Sequence, residues 1–455
     1  MGKILLYLNI ALTRVARSHK INGGLYTPIN SVIVIPVPGE KVQPGGERNF
    51  MSEWQRNLYL LVIIQLLATS TFQIVTPFLP FFVAELGVTD PRSLKAWSGI
   101  LLGVNALFSG LMSPFWGALA DRYGHKPMLV RSAASVAIFT VLPAFVTSAY
   151  QLLICRILMG VFSGFSSAAL TLAASTTPEN RLGFALGWLQ TGQVLGLVLG
   201  PLIGGVLADI FPFRVVFMLA GLLAITGTIL AATLVHEDFH PPVRAAAKNT
   251  EKSSLIGLLS WPLTIYSLFV VIFLSQFATR GVEPLMPLYV RELSAGSSNF
   301  NTLVGLVVAV TGLAQVIAVT ILGRQAPYWG YKRCLLACLA GSALFYFPQA
   351  LVGQVFPLIS LRFFQGLFLG GLLPMANSLI GLFTPPEKRG RVYGLTQSAF
   401  FLGNFSGPLA GGFWAALFGL RSVFYAASIL LFLNFIWVWR EVREPQTALK
   451  ISSGK

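Results

Sequence analysis

The stretch from Gly187 to Gly205, GWLQTGQVLGLVLGPLIGG, places glycine at 187, 192, 196, 200, 204 and 205 and proline at 201. Both residue types are poor helix formers in water, yet the flanking sequence is apolar and carries no loop signal. In lipid the pattern has a physical use. Helices there associate by close packing, and small residues one turn apart let two backbones approach. Gly192, Gly196, Gly200 and Gly204 form such a ladder, with Pro201 as a bend where one backbone donor is missing. The stretch predicts a membrane-crossing helix with a close-packed seam. Two readings stay open: a seam that only packs, and one at which two parts of the protein rock.

The composition around it agrees. The chain has 455 residues, 55% hydrophobic and 11% charged, with a mean hydropathy of +0.72. Soluble domains run near a quarter charged, so this is a membrane chain. The net charge of +16 sits mostly in short segments between apolar runs. It reads as topology information and not as a nucleic-acid surface. The three cysteines, Cys155, Cys334 and Cys338, support neither a disulfide framework nor a metal site. The four histidines, 19, 125, 236 and 240, fall outside the apolar runs. A phosphate-binding loop, a nucleophile–base pair and a cofactor motif are all missing, so neither ATP-driven transport nor catalysis is expected, and no cofactor.

A spanning helix needs about 20 mostly apolar residues. Twelve such runs are present: 57–86, 97–119, 127–147, 150–175, 181–209, 213–235, 263–292, 303–323, 332–352, 355–383, 390–417 and 421–439. With loops assigned alternately, one set holds twelve basic residues, among them Arg122, Lys126, Lys332 and Arg389, and the other holds five. The bias places the first set and both termini in the cytoplasm of a plasma (inner) membrane protein. Residues 1–53 form an extension without an 18-residue apolar run. It is expected to be either disordered or an over-extended reading frame, with Met51 as the true start.

The chain also matches itself at a shift of 206–207 residues. PFLPFFVAEL (77–86) meets PLMPLYVREL (284–293), CRILMGVFSG (155–164) meets LRFFQGLFLG (361–370), and GPLIGG (200–205) meets GPLAGG (407–412). This predicts two six-helix halves in the same orientation, 54–235 and 263–443, joined by a linker at 236–262 and followed by a tail at 444–455. Parallel repeats about an axis along the membrane normal are a transporter architecture, with a substrate site between the halves near mid-membrane.

At this point the residues carry a family likeness. The chain resembles the major facilitator superfamily over 54–443. Segment 117–129 is similar to that family's loop between the second and third helices, with Gly117, Leu119, Asp121, Arg122, Gly124 and Lys126. Its repeat keeps Gly323, Gly330 and Lys332 but has Pro327 in place of the aspartate. Arg156 with Gly160 and Gly164 resembles the fourth-helix signature. The glycine array resembles the fifth-helix signature of drug:proton antiporters, complete at Gly187, Gly196, Gly200, Pro201, Gly204 and Gly205. It is complete again at Gly394, Gly403, Gly407, Pro408, Gly411 and Gly412. The resemblance implies an all-α membrane protein of twelve helices in two pseudo-symmetric bundles. It also implies a monomer that exports small organic molecules by proton antiport and alternating access.

Individual residues then become candidates. The resemblance makes Asp121, with Arg122 and Lys126, a charged latch that stabilises one conformation and breaks in the other; the alternative is a solvated turn that sets topology. Charged residues at membrane depth need explanation. Arg156 and Arg362 are repeat-equivalent. Each reads either as a structural partner of helix carbonyls or, for Arg156, as part of proton coupling. Arg131 is expected to reach the membrane edge. In the seventh run, Gln276, Arg280 and Glu283 share one helix face, and Thr69, Gln73 and Thr76 are their repeat partners on the first. These polar stripes should face a cavity. Glu283 is the one carboxylate inside a run away from its ends, which makes it the proton-coupling candidate, although an internal Arg280–Glu283 ion pair is the simpler reading. Three arginines against one glutamate favour anionic, zwitterionic or neutral cargo over cations. A dedicated exporter of one metabolite (siderophore, organic acid or sugar) and a non-transporting receptor or scaffold are the competing readings.

Overall fold

The computed structural model describes residues 52–237, 263–294, 297–384 and 389–442. The expected extension, most of the linker and the tail lie outside them. Twelve helical passages follow in order: α1 Glu53–Glu85, α2 Pro91–Tyr123, α3 His125–Phe145, α4 Ala149–Thr176, α5 Glu179–Ile210, α6 Phe213–Thr233, α7 Thr264–Leu293, α8 Phe300–Trp329, α9 Tyr331–Gln349, α10 Val355–Phe383, α11 Arg389–Phe418 and α12 Leu420–Glu441. Ten are long and apolar enough to cross a membrane by length and composition. Of the other two, the short α9 begins with Lys332 and Arg333, and α11 carries Thr396, Gln397, Asn404, Ser406 and its glycines, which dilute their apolar windows.

Several passages start earlier than the apolar runs. α2 begins at Pro91 and α8 at Phe300, ahead of the expected 97 and 303. Asp90 explains the first of these starts. Its carboxylate accepts from the Ser93 amide at 2.8 Å and hydroxyl at 2.7 Å, capping the helix N-terminus. Those bonds hold the Asp90 carboxyl below its usual range. The α2–α3 and α8–α9 turns are made by Gly124 and Gly330, with φ of 98° and 93°. A side chain is strained at such φ, so the repeat-equivalent turns both require glycine.

The glycine ladder packs as its spacing predicts. A methyl group on Gly192, Gly196 or Gly200 would sit 2.5 Å from the Val62 carbonyl, 2.7 Å from Thr69 Cβ and 2.6 Å from Gln73 Cβ, all on α1. Gly204 abuts the Ile74 carbonyl of the same helix. The second copy does likewise, Gly403 against Gln276 Cβ and Gly407 against the Phe277 carbonyl, so α11 lies on α7.

The array has a second face that joins the halves. Gly305 of α8 abuts the Pro201 carbonyl, and Gly205 would meet the Asn301 carbonyl at 2.5 Å. In the pseudo-symmetric seam, Gly99 of α2 abuts the Pro408 carbonyl and Gly412 would meet the Lys95 carbonyl at 2.7 Å. These contacts lie toward the end of the bundle that carries Asp209. An aromatic cluster closes the same end: Phe81 meets Phe300 edge-on at 5.2 Å and stacks on Phe213 at 6.3 Å, and Arg291 lies over Phe81 and Phe300. Toward the opposite, basic end the halves part. Gly117, Gly187, Gly323 and Gly394 all have open space where a side chain would go.

Candidate functional site

Between the halves lies a cavity of about 220 Å³. Of the expected residues, Gln73, Gln276, Arg280, Glu283 and Arg362 line it, together with Thr279, Tyr346 and Gln315. Thr69 and Thr76 are not on its wall, which corrects their expected placement. Thr69 lies beneath Gly196 in the α1–α5 seam and accepts from Gln65 at 3.3 Å. Thr76 begins a 3-10 turn in α1 and donates back to the Phe72 carbonyl at 2.6 Å. Pro77 and Pro80 shape that turn, and the hydroxyl adds a second bond to a carbonyl that already accepts the Thr76 amide.

α7 breaks at the equivalent place. Residues Glu283–Leu285 form a 3-10 turn between helical segments, with Pro284 and Pro287 as its cause. Arg280 therefore stands in the last turn of an α-helix and Glu283 opens the break. Arg280 Nη1 donates to Glu283 Oε2 at 2.5 Å, three residues apart. The internal ion pair is present. It sits on the cavity wall, with its side chains 42% and 39% exposed.

Arg362 differs. It is 7% exposed, its Nη2 lies 3.4 Å from the Met286 thioether, and the Tyr346 and Phe424 rings flank it at 5.8 and 5.9 Å. Its Nε has no hydrogen-bond partner among the described residues. A thioether is a weak acceptor and a ring face a modest one, so the guanidinium is only partly satisfied. With Arg280 and Glu283 cancelling, the wall carries one net positive charge. Arg156, its repeat equivalent, is built the same way, with Nη1 3.8 Å from the Met159 sulfur and its guanidinium 6.0 Å from the Phe72 ring. It is 5% exposed and stands off this cavity wall.

At the basic end, Asp121 and Arg122 are exposed, and Arg122 lies over the Tyr123 ring at 5.3 Å. Asp121 makes no hydrogen bond or ion pair among the described residues. The side chains of 389–391, at the start of α11, fall outside them. The partner of the turn is one that sequence reasoning missed. The Glu237 carboxylate accepts from the His125 and Lys126 amides at 2.9 and 2.6 Å, capping α3 from beyond α6. Beside it the Asn57 side-chain amide donates to the His236 carbonyl at 2.7 Å and accepts from its backbone amide at 3.2 Å. The exit from the first half is thus tied to both α1 and the α2–α3 turn.

Sequence reasoning also missed the partners of Arg131. Its guanidinium donates to the Phe162 and Ser163 carbonyls at 3.0 and 3.2 Å and lies 3.5 Å over the Trp116 ring. α4 is interrupted there, at Phe162–Gly164, with Gly164 at φ 114°. Trp116 Nε1 takes the Val161 carbonyl at 2.7 Å and Ser135 also donates to Phe162. The Gly160 and Gly164 spacing was the only visible signal of this break.

A bundle of two repeat-related halves, closed at one end, parted at the other and holding a charged cavity between them, is the architecture of a secondary transporter. The Major Facilitator Superfamily model matches residues 61–300 and again 268–455, and the chain belongs to that family. It is 37% identical over 395 residues to the multidrug resistance protein MdtG of Proteus mirabilis, covering 87% of this chain and 98% of that protein. MdtG of Rahnella sp. is 37% identical over 397 residues, with 87% and 96% covered. Among solved structures, a bacterial homolog of the human lysosomal transporter Spinster superposes with a TM-score of 0.69 at 16% identity, over 89% of this chain and 99% of that one. The protein is a multi-pass membrane transporter.

Proposed function

We propose that the chain exports small organic molecules of several types from the cell in exchange for protons, working as a monomer by alternating access in the plasma (inner) membrane. The observation that carries this reading is the site itself: a cavity at the junction of two halves whose wall holds one carboxylate, Glu283, in reach of Arg280. A carboxylate that gains and loses a proton as its partner moves away is a proton carrier. The relatives named multidrug resistance proteins support export of drugs. The basic loops support cytoplasmic termini, so the parted end faces the cytoplasm and cargo enters there. The halves 54–235 and 263–443 rock about the two glycine seams, with 236–262 as their tether. Asp121, Arg122 and Lys126, on the turn set by Gly117 and Gly124, latch the cytoplasmic end in the other conformation. Arg156 stabilises charge in the first half as Arg362 does in the second. The uncompensated Arg362 favours cargo that is anionic or neutral.

Uptake into inverted vesicles with an imposed pH gradient tests this, using a panel of anionic, neutral and cationic compounds. Gradient-dependent accumulation of several compounds is expected, anions ahead of cations. Accumulation of one metabolite alone identifies a dedicated exporter, and none across a broad panel refutes the export reading.

A further inference from the structure

The two seams that join the halves are copies in their backbone contacts, but one of them carries an acid. Asp209, at the end of α5, accepts from the Asn301 amide at 3.1 Å, the Thr302 amide at 2.8 Å and the Thr302 hydroxyl at 2.5 Å. Asn301 Nδ2 donates to the neighbouring Ala208 carbonyl at 3.2 Å. The helix that receives these bonds, α8, belongs to the other half. Its own N-cap residue, Asn299, gives it no side-chain cap. α2, the repeat equivalent of α8, is capped locally by Asp90.

The register explains why only one seam has the acid. In the repeat, Asn301 corresponds to Lys95 and Asp209 to Ala416. α8 begins at Phe300, three residues later in that register than α2, which begins at Pro91. The amides of Asn301 and Thr302 are therefore in the first turn, where helix donors have no internal partner. The amides at 95 and 96 lie one turn deeper in α2, where they bond within the helix. A carboxylate at 416 would find no free backbone amide, and alanine stands there. At 209 it finds two amides, a hydroxyl and the positive end of a 30-residue helix.

A cap lent by one half to the other exists only while the halves touch. We infer that Asp209 is a positioning residue for transport, the latch that holds this end of the molecule shut, and that its bonds to α8 break each time the end opens. This rests on the alternating-access reading. Losing an N-cap shifts an equilibrium by roughly three- to thirty-fold. Asp209→Asn keeps the size and one acceptor oxygen, but it loses the charge and turns the other oxygen into a donor, and shifts the population by the lower part of that range toward the state open at this end.

The test is a distance measurement by pulsed electron resonance on the full chain in lipid nanodiscs. Spin labels at Tyr150→Cys and Phe356→Cys report on the two halves. Both positions are exposed, 71% and 78%, at the starts of α4 and α10 on this end. The parent is expected to show mainly the short distance with a minor long one. Asp209→Asn should raise the long fraction at least threefold. Thr302→Val, which removes the hydroxyl and keeps both amides, should raise it less, and it decides the matter if Asp209→Asn does not fold. An unchanged distribution in the folded variant, where the parent shows both distances, overturns the latch. A single short distance in every variant, alongside active export, overturns the rocking reading beneath it.

Discussion

Replacing Gly200 with alanine tests the seam most directly, because the same motif supplies its own control. A Cβ at Gly200 would lie 2.6 Å from Gln73 Cβ and 3.0 Å from the Ser70 carbonyl. Carbon atoms rest at about 3.5–4.0 Å, so α5 and α1 must separate by about 1 Å. Neither obstacle is the free end of a flexible side chain, so the helices themselves must move. Overpacking of this kind costs about 1–3 kcal/mol, against a gain of about 0.5–1 kcal/mol from the better helix former. Gly200→Ala should therefore destabilise. Gly187, in the same array, has no atom within 4 Å of a Cβ, so Gly187→Ala should be neutral or slightly stabilising. Thermal unfolding of both variants in one detergent, followed by tryptophan fluorescence, measures the difference. Equal midpoints for the two would refute the claim that close backbone approach, and not helix bending alone, is why the array is glycine.

Four further outcomes are expected. Glu283→Gln should abolish pH-gradient-driven flux in vesicles while leaving binding of neutral cargo detectable, and undiminished gradient-driven flux would remove Glu283 from coupling. Arg362→Met should abolish the preference for anions over cations in competition assays, since it deletes the one uncompensated charge on the wall. Arg131→Ala strips two carbonyl bonds and a ring contact from the α4 break, and should cost about 2–4 kcal/mol by chemical denaturation. Glu237→Gln should lower stability by about 1 kcal/mol as the α3 cap weakens, which a change in denaturation midpoint would register.

The ladder and the repeat were legible because both are spacings. Glycines four apart state that something must come close, and a shift of 206–207 residues states that it happens twice. The polar stripe of α7 was legible for the same reason, through three residues on one face. The contacts that complete the site are of another kind. Arg131 and Asp209 bond to backbone groups, of an interrupted helix in one case and of a helix start in the other. Backbone donors and acceptors are uniform along the chain, so nothing in the sequence marks which are free. The start of α8 decided the second case. A hydropathy run beginning at 303 leaves Asn301 and Thr302 in a loop, whereas the helix beginning at Phe300 turns their amides into a socket for Asp209. Thr69 failed as a wall residue because it faces Gly196 in the α1–α5 seam, and Thr76 because it opens the proline-driven turn at Thr76–Phe78.

The joints between the halves press glycine against main-chain carbonyl, at Gly205 on Asn301, Gly305 on Pro201, Gly99 on Pro408 and Gly412 on Lys95. Asp209 and Thr302 aside, such bearings ask little more of their positions than the lack of a side chain. The machinery of movement and the chemistry of selection are therefore written in separate parts of the chain. Substitutions at Gln276, Thr279, Tyr346 or Leu369 can retune what is carried without a matching change in the joints. Descendants of one such frame can thus diverge in cargo while keeping the same mechanical stroke.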